Sequence, residues 1–322
     1  MIKVILMNNL TLPSLEEVKE AAKRLQEVSV RTPLLKYDET SKIYIKPETL
    51  QPVKSFKLRG VFNTVTCLTK AQRKKGISTL SAGNTAQALG WTANYYDIPA
   101  KTTMFENVPE NKIQAIKSYG VKIVLLNHDE MKDFIFNQGW LDDPYTFIHP
   151  WYDHNFRAGN GTIGLEVIED LPEVDTVYIP VGGGGLMCGV GNVLKTLKPD
   201  IRVVGVQPEV DPALQEAFKA GKGVMPNMNE TISDISAPIM DEMYPLFEQV
   251  VDDIVLVSEK EIKKAIKNLL LKSKLVVEGA GALSLAASMK EPLEVRGTSV
   301  SLITGGSISK EKLISILNDP SL

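Results

Sequence analysis

The chain has little of what marks a secreted, metal-bound or membrane protein. Its 322 residues include only two cysteines, Cys67 and Cys188, and three histidines. Two thiols so far apart in sequence cannot build a disulfide framework or a cysteine-rich zinc site. His128, His149 and His154 lack paired metal-ligand spacing such as His-Glu-x-x-His, so they read as structural and no metal is expected. No apolar run approaches the ~20 residues needed to span a bilayer. The apolar stretch at residues 1–7 is too short for a secretory signal. Basic residues are not in excess either. A net charge of -3 leaves no footprint for nucleic acid and no polybasic membrane anchor. These absences predict a soluble, cytoplasmic protein. What remains is ordinary globular composition, 43% apolar and 23% charged. The length fits one large or two moderate domains.

Ser14-Leu15-Glu16-Glu17 is a capping-box pattern, with Val18, Ala21, Ala22, Leu25 and Val28 at helical spacing behind it. Strand and helix patterns then alternate. Strands are predicted at 42–45, 77–81, 102–105 and 121–126, with helices from about 55 to 68, 84 to 96 and 109 to 119. Residues 142–160, rich in proline, glycine and aromatics, read as an irregular crossing. A second alternating region follows: strands at 176–181, 202–207, 253–257 and 298–304, and helices at 186–197, from a Ser258 capping box, and at 310–317. This rhythm of apolar strands covered on both faces predicts an α/β fold with two open, twisted parallel-sheet domains.

Three polar motifs end predicted strands: Ser81-Ala82-Gly83-Asn84-Thr85, the run Gly182-Gly183-Gly184-Gly185, and Thr304-Gly305-Gly306. In open α/β sheets the ligand crevice lies beyond the carboxyl ends of the strands, so all three are expected in one cleft. A single glycine pair would be a plain turn. Four in a row are harder to explain that way, since each costs ~1 kcal/mol of conformational entropy relative to alanine. Between strand and helix they expose main-chain N–H groups suited to a phosphate. The register lacks Gly-x-Gly-x-x-Gly, Gln207 stands where a ribose-binding acid belongs, and no Lys-Ser/Thr follows the glycines. NAD and ATP are therefore disfavoured. Lys57, between Phe56 and Leu58 at a helix start, is by default a surface residue. Burial, the helix terminus and nearby Lys54 and Arg59 would instead lower its pKa and make it a Schiff-base nucleophile. Asn84 is by default an N-cap, although its turn offers donors for an α-carboxylate. Thr304 offers a neutral hydroxyl.

These segments, with Ala158-Gly159-Asn160-Gly161-Thr162-Ile163-Gly164 and Val277-Glu278-Gly279-Ala280-Gly281-Ala282, resemble the fold-type II pyridoxal-phosphate enzymes. Within them the chain is similar to the threonine/serine dehydratase and serine racemase group, over nearly its whole length. The resemblance implies a tryptophan synthase β-like architecture, with residues 1–75 plus 148–322 as a large cofactor domain and 76–147 as a small closing domain. It implies that Lys57 carries pyridoxal 5'-phosphate covalently, with Gly182, Gly183, Gly184, Gly185 and Leu186 at its phosphate. Phe56, Asn84 at a ring oxygen and Thr304 at the ring nitrogen complete the cofactor contacts. Ser81, Ala82, Gly83 and Thr85 would surround the substrate carboxylate. The implied activity is dehydration and deamination of L-threonine or L-serine by a homodimer.

Some positions depart from that pattern. Thr85 and Thr304 are closer to threonine synthases, Ser307 stands where asparagine is usual, and residues 233–238 lack a glycine that relatives place near the substrate. Gln207 and Ala213 replace the carboxylates of the racemases' cation site, so that site is expected to be lost. No regulatory domain is expected after Leu322. The rival readings are a threonine synthase-like enzyme, a serine racemase (disfavoured by Ala82, which has no hydroxyl), a non-catalytic binder of the same fold, and a nicotinamide oxidoreductase.

Overall fold

The computed structural model describes residues 10–322 apart from Met228; the apolar stretch at residues 1–7 lies outside them. The strands are β1 (Leu35–Lys36), β2 (Ile43–Pro47), β3 (Ile77–Leu80), β4 (Ala100–Phe105), β5 (Lys122–Leu126), β6 (Thr146–Phe147), β7 (Thr176–Pro180), β8 (Arg202–Pro208), β9 (Asp253–Val257) and β10 (Ser299–Ile303). They form two sheets, ordered β1-β2-β10-β7-β8-β9 and β5-β4-β3-β6. Every pairing is parallel except the short β1 against β2. The α/β reading with two parallel-sheet domains holds. The smaller sheet is drawn wholly from the chain between β2 and β7, so the larger one is discontinuous in sequence.

Both faces of the larger sheet are buried, as its apolar strands require. On β7, Val177 and Ile179 pack with Val190 and Leu194 of the Gly185–Leu197 helix, while Tyr178 between them packs with Leu283 and Leu285 on the other side. The smaller sheet buries Ile77, Ala100 and Met104 against Leu89 and Ala93 of the Asn84–Tyr96 helix. The Lys57–Cys67 helix joins that second core through Leu58, Val61, Phe62 and Val65. Its first residue therefore lies where the two sheets meet.

One expectation fails. Residues 142–160 are not irregular throughout, because a helix runs over His154–Asp170. The Asp153 carboxylate accepts from the amides of Asn155 and Phe156 and starts it. Its glycines signal close packing rather than a loop. A Cβ on Gly159 would lie 2.3 Å from the Arg59 carbonyl oxygen. The Gly279–Lys290 helix, read as no element at all, hides behind glycines for the same reason.

Arg59 is almost wholly buried. Its guanidinium donates to both carboxylate oxygens of Glu48 (2.8 and 2.9 Å) and both of Glu166 (2.6 and 3.0 Å). The Lys46 ammonium, equally buried, lies 2.7 Å from Glu166. Two cations thus meet two carboxylates in geometry that satisfies the arginine fork. Arg59→Ala would strand both acids without their main partner. It is expected to lower stability by about 3–5 kcal/mol in urea unfolding, far more than loss of an exposed ion pair.

Candidate active site

Four helices begin at the wall of one cavity of about 400 Å³, and Lys57, Asn84, Gly185 and Ala280 from their first turns line it. None of the four has a side-chain N-cap, whereas Ser14, Asn127, Asp153 and Ser258 cap helices elsewhere. Helix starts carry about half a positive charge each, which suits anions, although at the Lys57 start the first amides are taken by Ser55 and Phe56. All the residues singled out from the sequence face this space: Phe56, Lys57, Ser81, Ala82, Gly83, Asn84, Thr85, Gly182, Gly183, Gly184, Gly185, Leu186 and Thr304.

The glycine run forms the tight turn between β7 and the Gly185–Leu197 helix. Gly184 has φ +103°, which only glycine adopts without strain, and a Cβ on Gly185 would lie 2.2 Å from the Pro150 carbonyl oxygen. The main chain is therefore bare toward the cavity. Opposite it, the Ser55–Gly305 bridge and the Phe56 amide bond to the Thr304 carbonyl (3.1 Å) hold Lys57 beside the end of β10.

The Lys57 ammonium makes no hydrogen bond or ion pair among the described residues. It lies 4.9 Å and 5.5 Å from the ring centres of Phe56 and Phe156. Burial lowers its pKa to about 8, against the opposing pull of Glu278. The expectation that Arg59 would contribute is corrected: that side chain turns to Glu48 and Glu166 instead.

Asn84 is not the N-cap of its helix, since Gly83 occupies that place. Its amide nitrogen donates to Glu278 Oε1 (2.6 Å), and its carbonyl oxygen accepts from Ser307 Oγ (2.6 Å). Burial raises the pKa of Glu278, opposed by the Asn84 bond. Glu278 and Asp234, in segments that the sequence marks without giving them a role, line the cavity, as do Lys112 and Trp151, which the sequence does not single out. The glutamate opening a Gly-Ala-Gly helix start was the available signal.

The histidines do not meet, and no cluster of three or more His, Cys, Asp or Glu able to hold a metal exists among the described residues. Burial lowers the pKa of His149 to about 3, and its Nδ1 accepts from the Tyr152 amide. Gln207 spends its amide within the protein, donating to the Val181 carbonyl and accepting from the Leu214 amide.

Residues 25–305 match the family described as pyridoxal-phosphate dependent enzyme. The chain belongs to that family. It is 37% identical over 317 residues to the L-threonine ammonia-lyase of Thermotoga maritima, covering 95% of this chain and 78% of that one. It is 34% identical to the catabolic L-threonine dehydratase of Staphylococcus aureus, covering 94% and 92%. The structure of maize serine racemase superposes with a TM-score of 0.86 at 28% identity, covering 95% and 97%.

A pyridoxal-phosphate enzyme uses this cofactor as an aldehyde, a phosphate and a ring, and the cavity fits each part. It offers an unpaired amine of lowered pKa, a bare tetraglycine turn at a helix start, and neutral side chains at Asn84 and Thr304.

Because the pKa of Lys57 falls on folding, the folded protein without cofactor bears a cost. That cost is whole below about pH 8 and fades as pH rises toward the ordinary lysine value of about 10.4. Cofactor-free Lys57→Met is expected to show a higher urea midpoint than wild type at pH 7, with the gap narrowing by pH 10. An equal gap at both pH values would contradict the burial of this amine.

Proposed function

We propose that the protein dehydrates and deaminates L-threonine or L-serine to a 2-oxo acid and ammonia. The observation that carries this reading is the partnerless Lys57 amine in a cavity shared with two uncapped helix starts and the glycine run. The threonine lyases at 34–37% identity support the substrate class.

Gly182, Gly183, Gly184 and Gly185 would hold the phosphate through main-chain N–H groups, with Leu186 in the first turn behind them. Lys57 would carry the aldehyde, flanked by Phe56. Thr304 would meet the ring nitrogen with a neutral hydroxyl and Asn84 would meet the ring oxygen. The turn Ser81, Ala82, Gly83 and Thr85, at the start of the Asn84–Tyr96 helix, would take the substrate α-carboxylate. When bound, the cofactor supplies an electron sink conjugated to the substrate's amine.

The chain's own part is proton handling and positioning. Lys57 Nζ takes the proton from the substrate Cα. Burial, which lowers its pKa to about 8, favours the neutral amine this step needs. Thr304 would donate its hydroxyl hydrogen to the ring nitrogen and brings no negative charge to stabilise a protonated ring. The Cα–H and Cβ–O bonds break, water leaves, and hydrolysis of the released enamine returns water and frees ammonia. Residues 76–147 would act as the closing domain that excludes water from this step. The working form would be a homodimer in the cytoplasm. Among the described helices none is long and apolar enough to cross a membrane.

A threonine synthase would need cations for its substrate's phosphate, yet Lys57 and Lys112 are the cationic side chains of this wall. The racemase reading lacks an acid–base group at Ala82.

Purified protein given L-threonine should release 2-oxobutanoate and ammonia in equal amounts, with no D-serine formed from L-serine. Lys57→Ala should lose at least about a hundredfold in turnover, together with the visible absorption of the bound cofactor. A variant that kept both would sink the assignment.

A further inference from the structure

The charged side chains in the cavity wall are Lys57, Lys112, Asp234 and Glu278. Two are already committed. Lys57 belongs to the cofactor, and the Glu278 carboxylate accepts from Asn84 at 2.6 Å. The other two face each other: Lys112 Nζ lies 3.5 Å from Asp234 Oδ2. Lys112 is on the Glu110–Lys117 helix of the smaller sheet. Lys312, on the Lys310–Leu317 helix, approaches the same carboxylate oxygen at 3.4 Å.

Asp234 is held in place by its own stretch of chain. It has φ 50°, a left-handed conformation that aspartate and asparagine tolerate better than other side chains. Its amide donates to the Thr231 carbonyl oxygen. The Glu259 carboxylate in turn fixes Thr231 Oγ1 (2.5 Å) and the Ile232 amide (2.9 Å). The carboxylate is thus aimed at the cavity and at Lys112 by anchored main chain.

A bound amino acid has three parts to place. The amine goes to Lys57's end of the cavity and the α-carboxylate to uncapped helix N–H groups. The side chain is left with the outer wall. A side chain carrying a second carboxylate would find Lys112 neutralised by Asp234, and the Asp234 carboxylate opposing it. A methyl or hydrogen meets no such cost.

We propose that Asp234, by holding Lys112, restricts the site to β-hydroxy amino acids with an uncharged side chain and excludes those with a second carboxylate. This rests on the dehydratase reading above and names the residue that sets its substrate class. Removing the charge frees Lys112 to pair with the incoming acid. L-3-hydroxyaspartate then becomes a substrate by the same bond changes: Cα–H and Cβ–O break, water leaves and returns, and oxaloacetate and ammonia form.

The test uses cofactor-loaded protein and two probes that lack a β-hydroxyl, L-aspartate and the neutral L-2-aminobutyrate, with binding measured by calorimetry. D234N preserves the backbone preference at this position. It should bind L-aspartate about three- to fivefold more tightly than wild type, with a much smaller change for 2-aminobutyrate. Its KM for L-3-hydroxyaspartate should fall in parallel. K112A alone should weaken aspartate binding, and D234N with K112A should abolish the gain. Aspartate affinity within about twofold of wild type in a D234N protein that keeps its cofactor absorption would overturn the proposal. So would a gain that survives in the double variant. Failure of wild type to act on L-threonine would instead strike the dehydratase reading, and the aspartate comparison would still report on Asp234.

Discussion

An amine kept from water and given nothing to pair with is the constraint on which this site depends. Left alone, a buried lysine would either escape to solvent or draw in a carboxylate. The Lys57–Cys67 helix prevents both. Residues two apart lie about 200° around a helix, so Lys57 and Arg59 point away from each other. Arg59 is locked by both oxygens of Glu48 and of Glu166. That fixes the helix in rotation and leaves Lys57 facing the cavity between two aromatic rings. One helix thus carries two cations in opposite states, the buried Arg59 fully compensated and the half-buried Lys57 left uncompensated.

The rest of the wall avoids undoing this arrangement. Anion seats made of arginine would have put full positive charges beside a substrate that arrives as an ammonium. Helix starts provide partial charge and directed N–H donors instead, and four of them converge here. The cost is borne by glycine. Gly184 needs a left-handed backbone and Gly185 needs contact with Pro150, so the tetraglycine turn admits no side chain at either place. Glu278 lies near the amine, but its Oε1 already accepts from Asn84.

Much of this was legible in the sequence because it is local. Strand periodicity located both sheets, and the capping boxes at Ser14 and Ser258 marked helix starts that the structure contains. The turns at Ser81, Gly182 and Thr304 met in one cavity because parallel strands deliver their ends to one side. Long-range information was not legible. Asn84 looked like an N-cap because nothing in its neighbourhood reveals Glu278, 194 residues away. Arg59 looked like a neighbour that would lower the Lys57 pKa, although its partners Glu48 and Glu166 turn it aside. Gly159, inside the stretch 142–160, looked like part of a loop, because a pattern of small residues does not say whether the chain bends or is closely approached.

Contacts from the smaller sheet's helices reach across the cavity at Asn84, to Glu278 and Ser307, and at Lys112, to Asp234, and they differ in kind. Asn84 to Glu278 is short and sheltered, in a setting where the bond is worth more than in water. Lys112 to Asp234 is long, and its two side chains are 36% and 56% exposed, so solvent screens it to at most about 1 kcal/mol. A strong tie at the inner end and a weak one at the mouth leave the mouth as the cheaper edge to part. That asymmetry suits a site that must admit a zwitterion from water while keeping its cofactor end fixed.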